Sequence, residues 1–332
     1  MPRTAVFLTI AAACLCAQPP AYRIAHRYRL GGEGGWDYVV PDPPSGRVFL
    51  ARENRLMVVE ESSGKLLGEV TGIDGAHGTA IAAKTGHGFA TEGHGQSVAM
   101  FDLKTYQVLR HIPAAEDADA ILYDAPSNRV FTLNGDAHSS TVIDPVEGKR
   151  IATVPLGGKP EYGVSAGDGK VYANLTDVSE VVEIDAKAAT VTRRWPAAPC
   201  RQPVSMAIDA AHHRLFSGCR SGLMAVSDSQ AGKIVASIPI GAGVDGAGFD
   251  PATGDAFAST ADGKLTVIHE DSPDRYRVVQ EIATPERSRN MGLDPRTHQI
   301  FVPSAEFGPA GGARRPPVLA GTFTLLVIEP AR

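Results

Sequence analysis

An aromatic residue inside a short β-rich segment recurs along the chain at intervals of 40 to 44 residues. The members of this series are Phe49, Phe89, Phe131, Tyr172, Phe216, Phe257 and Phe301. A second series consists of acidic residues that each end another apolar segment, and its step is 41 to 43 residues until a last interval of 59. Its members are Glu60, Asp102, Asp144, Asp185, Asp228, Glu270 and Glu329. Because two independent markers share one period, the chain contains seven copies of one structural unit.

The third copy indicates how each unit divides into strands. It contains four segments rich in β-branched and aromatic residues, Ala120–Tyr123, Arg129–Leu133, Ser140–Ile143 and Lys149–Val154. Asp, Asn, Pro and Gly, which favour turns, separate these segments. Four antiparallel strands in about 40 residues are typical of one β-propeller blade, and the apolar spacings of three and four that a helical solenoid needs are absent. The sequence therefore predicts an all-β, seven-bladed β-propeller of four-stranded antiparallel blades.

The two ends of the repeat array predict how the ring closes. The seventh copy begins at Asn290 and finishes with Phe323–Glu329, so it lacks a fourth strand. The segment Tyr22–Leu30 has the pattern of a strand and no partner of its own. We expect it to pair within the last blade, because an unpaired sheet edge invites aggregation. The longer last interval is explained by a Gly-, Pro- and Arg-rich loop over Glu306–Gly321.

The first residues have the pattern of a secretory signal. A short basic start, Met1–Arg3, precedes the apolar stretch Ala5–Ala13 and a Pro-rich segment after Ala17. Residues 1–17 are therefore expected to be a signal peptide and residues 18–332 a single propeller domain in the periplasm or outside the cell. A buried N-terminal strand and lipid attachment at Cys14 are the alternatives.

Charge and hydropathy exclude two classes of partner. The formal net charge is −5, which argues against nucleic acid as a partner, because nucleic-acid binding relies on clustered Lys and Arg. The chain has no run of eighteen apolar residues, so no integral membrane segment is expected.

Export would leave two cysteines, Cys200 and Cys219, in a compartment that permits disulfides. A hairpin with its turn at residues 209–213 would bring both to the same end of two strands. We therefore predict a structural disulfide between them, and a redox or metal-binding pair is the alternative.

Several segments make the chain resemble the YVTN-repeat, YncE-like family of propellers. They are Ser140–Pro145, Ile151–Leu156, Gly35–Tyr38, Gly157–Glu161, Gly241–Asp245 and Ala305–Pro309. The resemblance extends over about residues 21–330 and implies an exported seven-bladed propeller. It implies little about chemistry, since this fold carries binding proteins, lactonases and oxidoreductases.

Ligand sites of propellers usually lie at one mouth of the central channel, where the loops that enter the innermost strands converge with the loops between second and third strands. The catalytic candidates in these loops are His77, Glu161, Arg201 and Arg289. The ligand-binding candidates are Trp36, Asp37, Asn134, Asn174, Asp245 and Glu306. Arg would bind a carboxylate while His77 or Glu161 moves a proton. Each Asp or Asn could instead cap its own turn, and Trp36 could simply pack between the first and last blades.

Two function classes remain from these residues. The first is binding of a small molecule, or of a protein or glycan partner, at the channel mouth. The second is a lactonase- or cycloisomerase-like enzyme that acts on a small carboxylated substrate. Ca²⁺ is a possible cofactor, because Glu161, Asn134, Asn174 and Asp245 would supply oxygen ligands. Motifs of serine hydrolases, zinc proteases, phosphate loops and covalent haem are absent, and quinone-dependent redox chemistry is left open.

Overall fold

A computed structural model describes residues 21–311 and 316–331. The predicted signal peptide, residues 1–17, lies outside the described residues. The described chain is all-β, with 26 strands and one short 3-10 turn at Ala83–Thr85. No helix in these two ranges is long and apolar enough to cross a bilayer.

The strands follow one another with short connections. In the first half of the chain they are β1 (Tyr22–Arg29), β2 (Val39–Asp42), β3 (Arg47–Glu60), β4 (Leu66–Ala82), β5 (His87–Glu92), β6 (Ser97–Asp102), β7 (Val108–Pro113), β8 (Ala118–Asp124), β9 (Arg129–Asn134), β10 (Ser139–Asp144), β11 (Lys149–Pro155), β12 (Pro160–Ser165) and β13 (Lys170–Leu175). In the second half they are β14 (Glu180–Asp185), β15 (Thr190–Pro196), β16 (Pro203–Asp209), β17 (Arg214–Cys219), β18 (Leu223–Asp228), β19 (Lys233–Pro239), β20 (Val244–Asp250), β21 (Asp255–Thr260), β22 (Lys264–Ser272), β23 (Arg275–Ala283), β24 (Gly292–Asp294), β25 (Gln299–Ser304) and β26 (Thr324–Pro330).

The strands form antiparallel sheets arranged as the blades of a β-propeller. Four sheets each contain one copy of the repeat, namely β8 to β11, β12 to β15, β16 to β19 and β20 to β23. A fifth has the order β1-β26-β25-β24, and a sixth contains β2 to β7. The innermost strands β8, β12, β16 and β20 pack in succession, and β24 contacts both β20 and β2.

The expected number of seven separate four-stranded blades is wrong, because the described strands form six sheets. The first two copies of the repeat share the six-stranded sheet. β3 folds back on itself at Glu53, which has a φ of 49°. The two ends of the strand therefore meet: the N–H of Glu61, just after β3, donates to the carbonyl of Gly46, just before it. β4 then pairs with β3 through its first part and with β5 through Ala76–Ala82, so hydrogen bonding passes from one copy to the next without a break.

The prediction for the N-terminal strand is confirmed, since β1 pairs with β26 along Tyr22–Arg29. Tyr22 anchors this pairing. Its ring is 3% exposed and packs edge-on against Phe257, with 5.2 Å between the ring centroids. Its hydroxyl donates to Asp255 Oδ2 over 2.9 Å, and its backbone N–H donates to Gln280. β1 therefore completes one sheet and contacts the preceding one.

The core consists of apolar layers between neighbouring sheets. The seven aromatic residues of the repeat are all buried, with exposures of 0% for the phenylalanines and 3% for Tyr172. Burying a Phe side chain contributes roughly 1.5–3 kcal/mol to folding. The insertion of the last copy leaves this core, and an isolated bridge joins Phe307 to Val318.

The predicted disulfide between Cys200 and Cys219 is confirmed, with Cα atoms 5.6 Å apart. Cys219, the last residue of β17, pairs with Pro203 at the start of β16, and this register brings the two sulfurs together. Both cysteines are buried in an apolar cluster with Trp195 and Met206.

Replacement of Tyr22 by Ala should lower the free energy of unfolding by about 3–5 kcal/mol, as removal of other large buried rings does. Chemical denaturation followed by fluorescence or circular dichroism would measure it. The control is Arg23→Ala in the same strand, whose exposed ion pair with Glu329 should be worth less than about 1 kcal/mol. Equal effects of the two substitutions would contradict an anchoring role of the Tyr22 ring.

Replacing both Cys200 and Cys219 by Ala should destabilise the protein by about 3 kcal/mol, because the bridge closes a loop with a sequence separation of 19 residues. Denaturation of the oxidised protein and of the double variant would give this difference. Adding a reductant to the double variant should change nothing, and a double variant as stable as the oxidised parent would contradict the prediction.

Candidate functional site

The register of the repeat places one position of each copy at the entrance of an innermost strand. In each copy one residue of the innermost strand pairs with the repeat aromatic, as Val40 pairs with Phe49 and Leu122 with Phe131. The entrance position lies three residues before that pairing residue. In chain order the position is occupied by Asp37, His77, Asp119, Glu161, Val204, Asp245 and Arg289. Six of the seven residues are ionisable. We call these six residues, with Asn290 and Arg220, the mouth cluster.

The first three copies form the centre of the mouth cluster. His77 Nδ1 donates to Asp37 Oδ2 over 2.6 Å and lies 3.4 Å from Asp119 Oδ1. Gly93 leaves room for the imidazole, since a Cβ atom there would lie 2.8 Å from His77 Nε2. Asp119 Oδ1 is buried and accepts no hydrogen bond among the described residues.

The pKa values of this triad follow from its geometry. Burial lowers the pKa of His77, but the hydrogen bond to Asp37 and the charges of Asp119 and Asp37 more than offset this and raise it to about 9. Burial raises the pKa of Asp119 well above its ordinary value, and the nearby charge of Asp37 raises it further, while His77 opposes the shift. An imidazolium between two acids is therefore the stable form at neutral pH.

The last two copies extend the mouth cluster on the other side of Asp37. Asn290 Nδ2 lies 3.3 Å from Asp37 Oδ1 and 3.3 Å from Asp245 Oδ2. Arg289 Nε is 2.9 Å from Asp245 Oδ2, and the Arg289 carbonyl accepts a hydrogen bond from Ser259. Burial raises the pKa of Asp245 to about 6, although Arg289 lowers it.

Glu161 is the member of the mouth cluster from the fourth copy. Its Oε1 lies 3.2 Å from Arg220 Nη2, and its carbonyl accepts a hydrogen bond from the Tyr38 hydroxyl. Burial raises the pKa of Glu161, while Arg220 and Lys159 lower it. The Tyr38 and Tyr162 rings, 5.3 Å apart, line a cavity of about 420 Å³ between the innermost strands beneath these groups. The mouth cluster thus carries four acids balanced by three bases, above an apolar channel.

Several residues predicted from the sequence do not join the mouth cluster. Asn134 is buried within its own sheet, where it bonds to Thr132, Ser139 and Thr141. Asn174 is also buried, and its amide links β13 to the Ser205 carbonyl and the Ser217 hydroxyl. With both amides engaged in the sheets, the predicted Ca²⁺ ligand set is not assembled.

Three other predicted residues also lie outside the mouth cluster. Arg201 is exposed, and its backbone N–H donates to the Ser221 hydroxyl. Glu306 is exposed and lines a small cavity with Arg27 and Arg29. Trp36 packs against Phe323 of the last copy, with ring centroids 5.5 Å apart, as its packing interpretation predicts.

A cavity of about 480 Å³ adjoins the mouth cluster, and Arg289 and Asn290 line both. Its apolar wall is formed by Trp36, Phe307, Pro316, Pro317 and Val318. Arg287 also lines it, with its guanidinium 5.4 Å from the centroid of the Phe307 ring. The cavity therefore offers aromatic surface, two guanidinium groups and the Glu53 carboxylate.

The mouth cluster contains groups for proton transfer, anion binding and cation binding. His77, with acids on both sides, can hold or move a proton. Asp37, His77 and Asp119 each offer a ligand atom within 4.8 Å of the others, which is close enough to surround a cation. Asn290, Arg220 and Asp119 are members of the cluster that were not among the candidates selected from the sequence. Counting three residues back from the aromatic's partner would have found Asp119.

No family model and no curated protein matches the chain. Among solved structures, the chain is similar to one from Kuenenia stuttgartiensis hydrazine synthase, with a TM-score of 0.70 and 13% sequence identity. The match covers 81% of this chain and 92% of that one. A likeness at this identity supports the propeller fold and says nothing about activity.

The imidazole of His77 should titrate near pH 9 in NMR spectra, well above its ordinary pKa of 6.5. Asp37→Asn should lower that pKa towards 6.5, and Asp136→Asn is the control because Asp136 is paired with Lys159 instead. Since the folded pKa is the higher one, His77 contributes stability that is complete below about pH 6.5 and is lost as the pH rises through about 9. A midpoint near 6.5 in the unmodified protein would contradict the triad.

Proposed function

We propose that this protein is an exported, YncE-like propeller of seven repeats in a closed ring, and that its channel mouth binds a small molecule with a ring and an anionic oxygen group. One observation carries the proposal. The mouth cluster, assembled from all seven copies of the repeat, opens through Arg289 and Asn290 into the 480 Å³ cavity. Binding sites for small molecules are concave, mostly apolar and supplied with a few convergent polar groups, and this volume is within their usual range.

The cavity supports the chemistry of such a ligand. Trp36 and Phe307, with ring centroids 5.9 Å apart, would pack against an aromatic or alicyclic ring. The Arg287 guanidinium stacks on Phe307 and makes no ion pair with the described residues, so it is free to pair with a carboxylate. Arg289 already neutralises Asp245 and would position the same anionic group at the mouth.

Export is the part of the proposal that rests on cysteine chemistry and on the N-terminal segment. The disulfide between Cys200 and Cys219 fits an oxidising compartment, where such bonds persist. The signal-like pattern of residues 1–17 is consistent with the same compartment.

A lactonase- or cycloisomerase-like activity at the same mouth is the second candidate. Its specific support is Asp119, whose Oδ1 atom is buried without a hydrogen-bond donor beside His77. His77 would transfer a proton to or from a ligand seated in the cavity, while Arg289 would hold the carboxylate. A divalent cation bound by Asp37, His77 and Asp119 would polarise a carbonyl oxygen.

Benzoate, as a minimal ring with a carboxylate, should raise the melting temperature of the protein and bind measurably by calorimetry. Arg287→Ala should weaken binding at least about tenfold, because a hydrogen bond to a charged group contributes about 1.5–3 kcal/mol. Arg289→Ala should have a similar effect. Glu161→Gln changes the mouth cluster but not the cavity lining, so it tells whether benzoate binding depends on the mouth or on the cavity alone. The control is Arg150→Ala, an exposed residue of the outermost strand β11.

Equal benzoate binding by the parent, the Arg287 variant and the Arg289 variant would contradict the binding proposal. Hydrolysis of the lactone dihydrocoumarin tests the enzymatic alternative. Turnover that is present in the parent and lost in His77→Gln would favour catalysis. Binding without turnover, with or without added divalent cations, would favour a binding protein.

A further inference from the structure

A second cluster of ionisable side chains lies at the opposite end of the innermost strand β16 from the mouth. Asp209 ends β16, His212 follows in the turn to β17, and Glu270 lies in β22 of the next sheet. His212 Nδ1 is 2.5 Å from Asp209 Oδ2 and 3.1 Å from Glu270 Oε1. The three ligand atoms lie within 4.8 Å of one another.

Glu270 is the unusual member of this cluster. Its side chain is only 5% exposed, and neither carboxylate oxygen accepts a hydrogen bond from the described residues. His212 Nδ1 carries at most one hydrogen, and it donates this hydrogen to Asp209 Oδ2, which is at the shorter distance. Among the described residues only His212 Nδ1, at 3.1 Å, lies close to this buried carboxylate as a cationic neighbour, and such a burial is costly, so a bound cation would stabilise it.

Glu270 differs from the acids at the equivalent position of other repeats, which cap the turn that follows them. The acids at the same place in four other copies accept backbone N–H groups of the turn that follows them. These acids are Asp102, Asp144, Asp185 and Asp228. Glu270 makes no such bonds, because β22 continues to Ser272 where the other copies turn. Its carboxylate is directed towards His212 and Asp209 instead.

The surrounding residues hold the two ligand-bearing segments in place. Asp209 Oδ1 accepts the Ala211 N–H over 3.0 Å, which leaves Oδ2 directed at the cluster. The Arg214 guanidinium donates to the carbonyls of His212 and Pro273, each over 2.8 Å, so it joins the β16–β17 turn to the segment after β22. Outer contacts of this kind orient metal ligands in known sites.

We propose that Asp209 Oδ2, His212 Nδ1 and Glu270 Oε1 form a binding site for a divalent metal ion of the Zn²⁺ class. Two carboxylates and one imidazole suit such ions, whereas Ca²⁺ and Mg²⁺ prefer oxygen ligands alone. Ligand atoms around tetrahedral Zn²⁺ lie about 3.4 Å apart. The Nδ1–Oδ2 pair must therefore open by about 1 Å, which the His212 side chain, 53% exposed, allows.

The bound ion would fasten two neighbouring sheets on the face away from the mouth. Asp209 and His212 belong to the sheet of β16 to β19, and Glu270 belongs to the sheet of β20 to β23. The exposed side of His212 leaves the remaining coordination positions to water. This site does not depend on the function proposed for the mouth.

Titration of the full mature protein with ZnCl₂ tests the site. Every sample carries His77→Gln, which removes the second possible metal site, Asp37–His77–Asp119, and this protein is called the background. The background protein should bind one equivalent of Zn²⁺ and melt at a higher temperature when Zn²⁺ is present. Glu270→Gln and His212→Gln should each weaken binding at least about tenfold and remove the thermal shift. His213→Gln, which changes the adjacent histidine, is the matched control and should behave as the background does.

The stability of the metal-free proteins separates this proposal from a purely structural ion pair. If Glu270 accepts no hydrogen bond until the ion binds, metal-free Glu270→Gln should be at least as stable as its parent. An equivalent of Zn²⁺ that survives in Glu270→Gln would overturn the proposal. So would the absence of Zn²⁺ binding in the background protein, or a Glu270→Gln variant that is destabilised without metal.

Discussion

The buried aromatic ring on the second strand of each repeat is the contact on which the other features of the molecule depend. It fills the space between neighbouring sheets, and all seven rings are excluded from solvent. Because the same residue pairs with the innermost strand, it also sets the register of that strand. A slip of one residue would turn every side chain of the strand to the other face. The mouth cluster is therefore positioned by packing that lies several residues away from its own charges.

The mouth cluster gathers like charges from distant parts of the sequence. Asp37, Asp119, Glu161 and Asp245 meet there, and burial raises the pKa of the last three. Arg220 and Arg289 each offset one acid, and His77 lies between two others. Groups with strongly shifted pKa values are concentrated at functional sites more than elsewhere, and here their cluster adjoins an aromatic cavity through Arg289 and Asn290.

On the opposite face, one copy of the repeat departs from the common pattern and makes a contact that the other copies lack. An acid at the end of the third strand normally caps the next turn, and this stabilises the copy to which it belongs. A longer strand in the sixth copy moves that turn to Pro273 and Asp274, so the Glu270 carboxylate does not cap it. The carboxylate then contacts the neighbouring sheet, so that an element of local structure becomes part of a contact between sheets.

The sequence by itself determined the all-β class, the propeller architecture, the pairing of the N-terminal strand and the disulfide. Each of these follows from local patterns and from counting along the chain: the period of Phe49 and its equivalents, the strand missing from the last copy, and the hairpin between Cys200 and Cys219.

Only the tertiary structure decided that hydrogen bonding continues from the first copy into the second, which leaves six sheets. It also decided that Asn134 and Asn174 bond within the sheets while Asn290 bridges Asp37 and Asp245. Loop position alone could not separate these asparagines. The partners of Asn174 and Asn290 belong to other copies, and the distances between copies are set by how the sheets pack and tilt, which leaves no periodic trace in these asparagines.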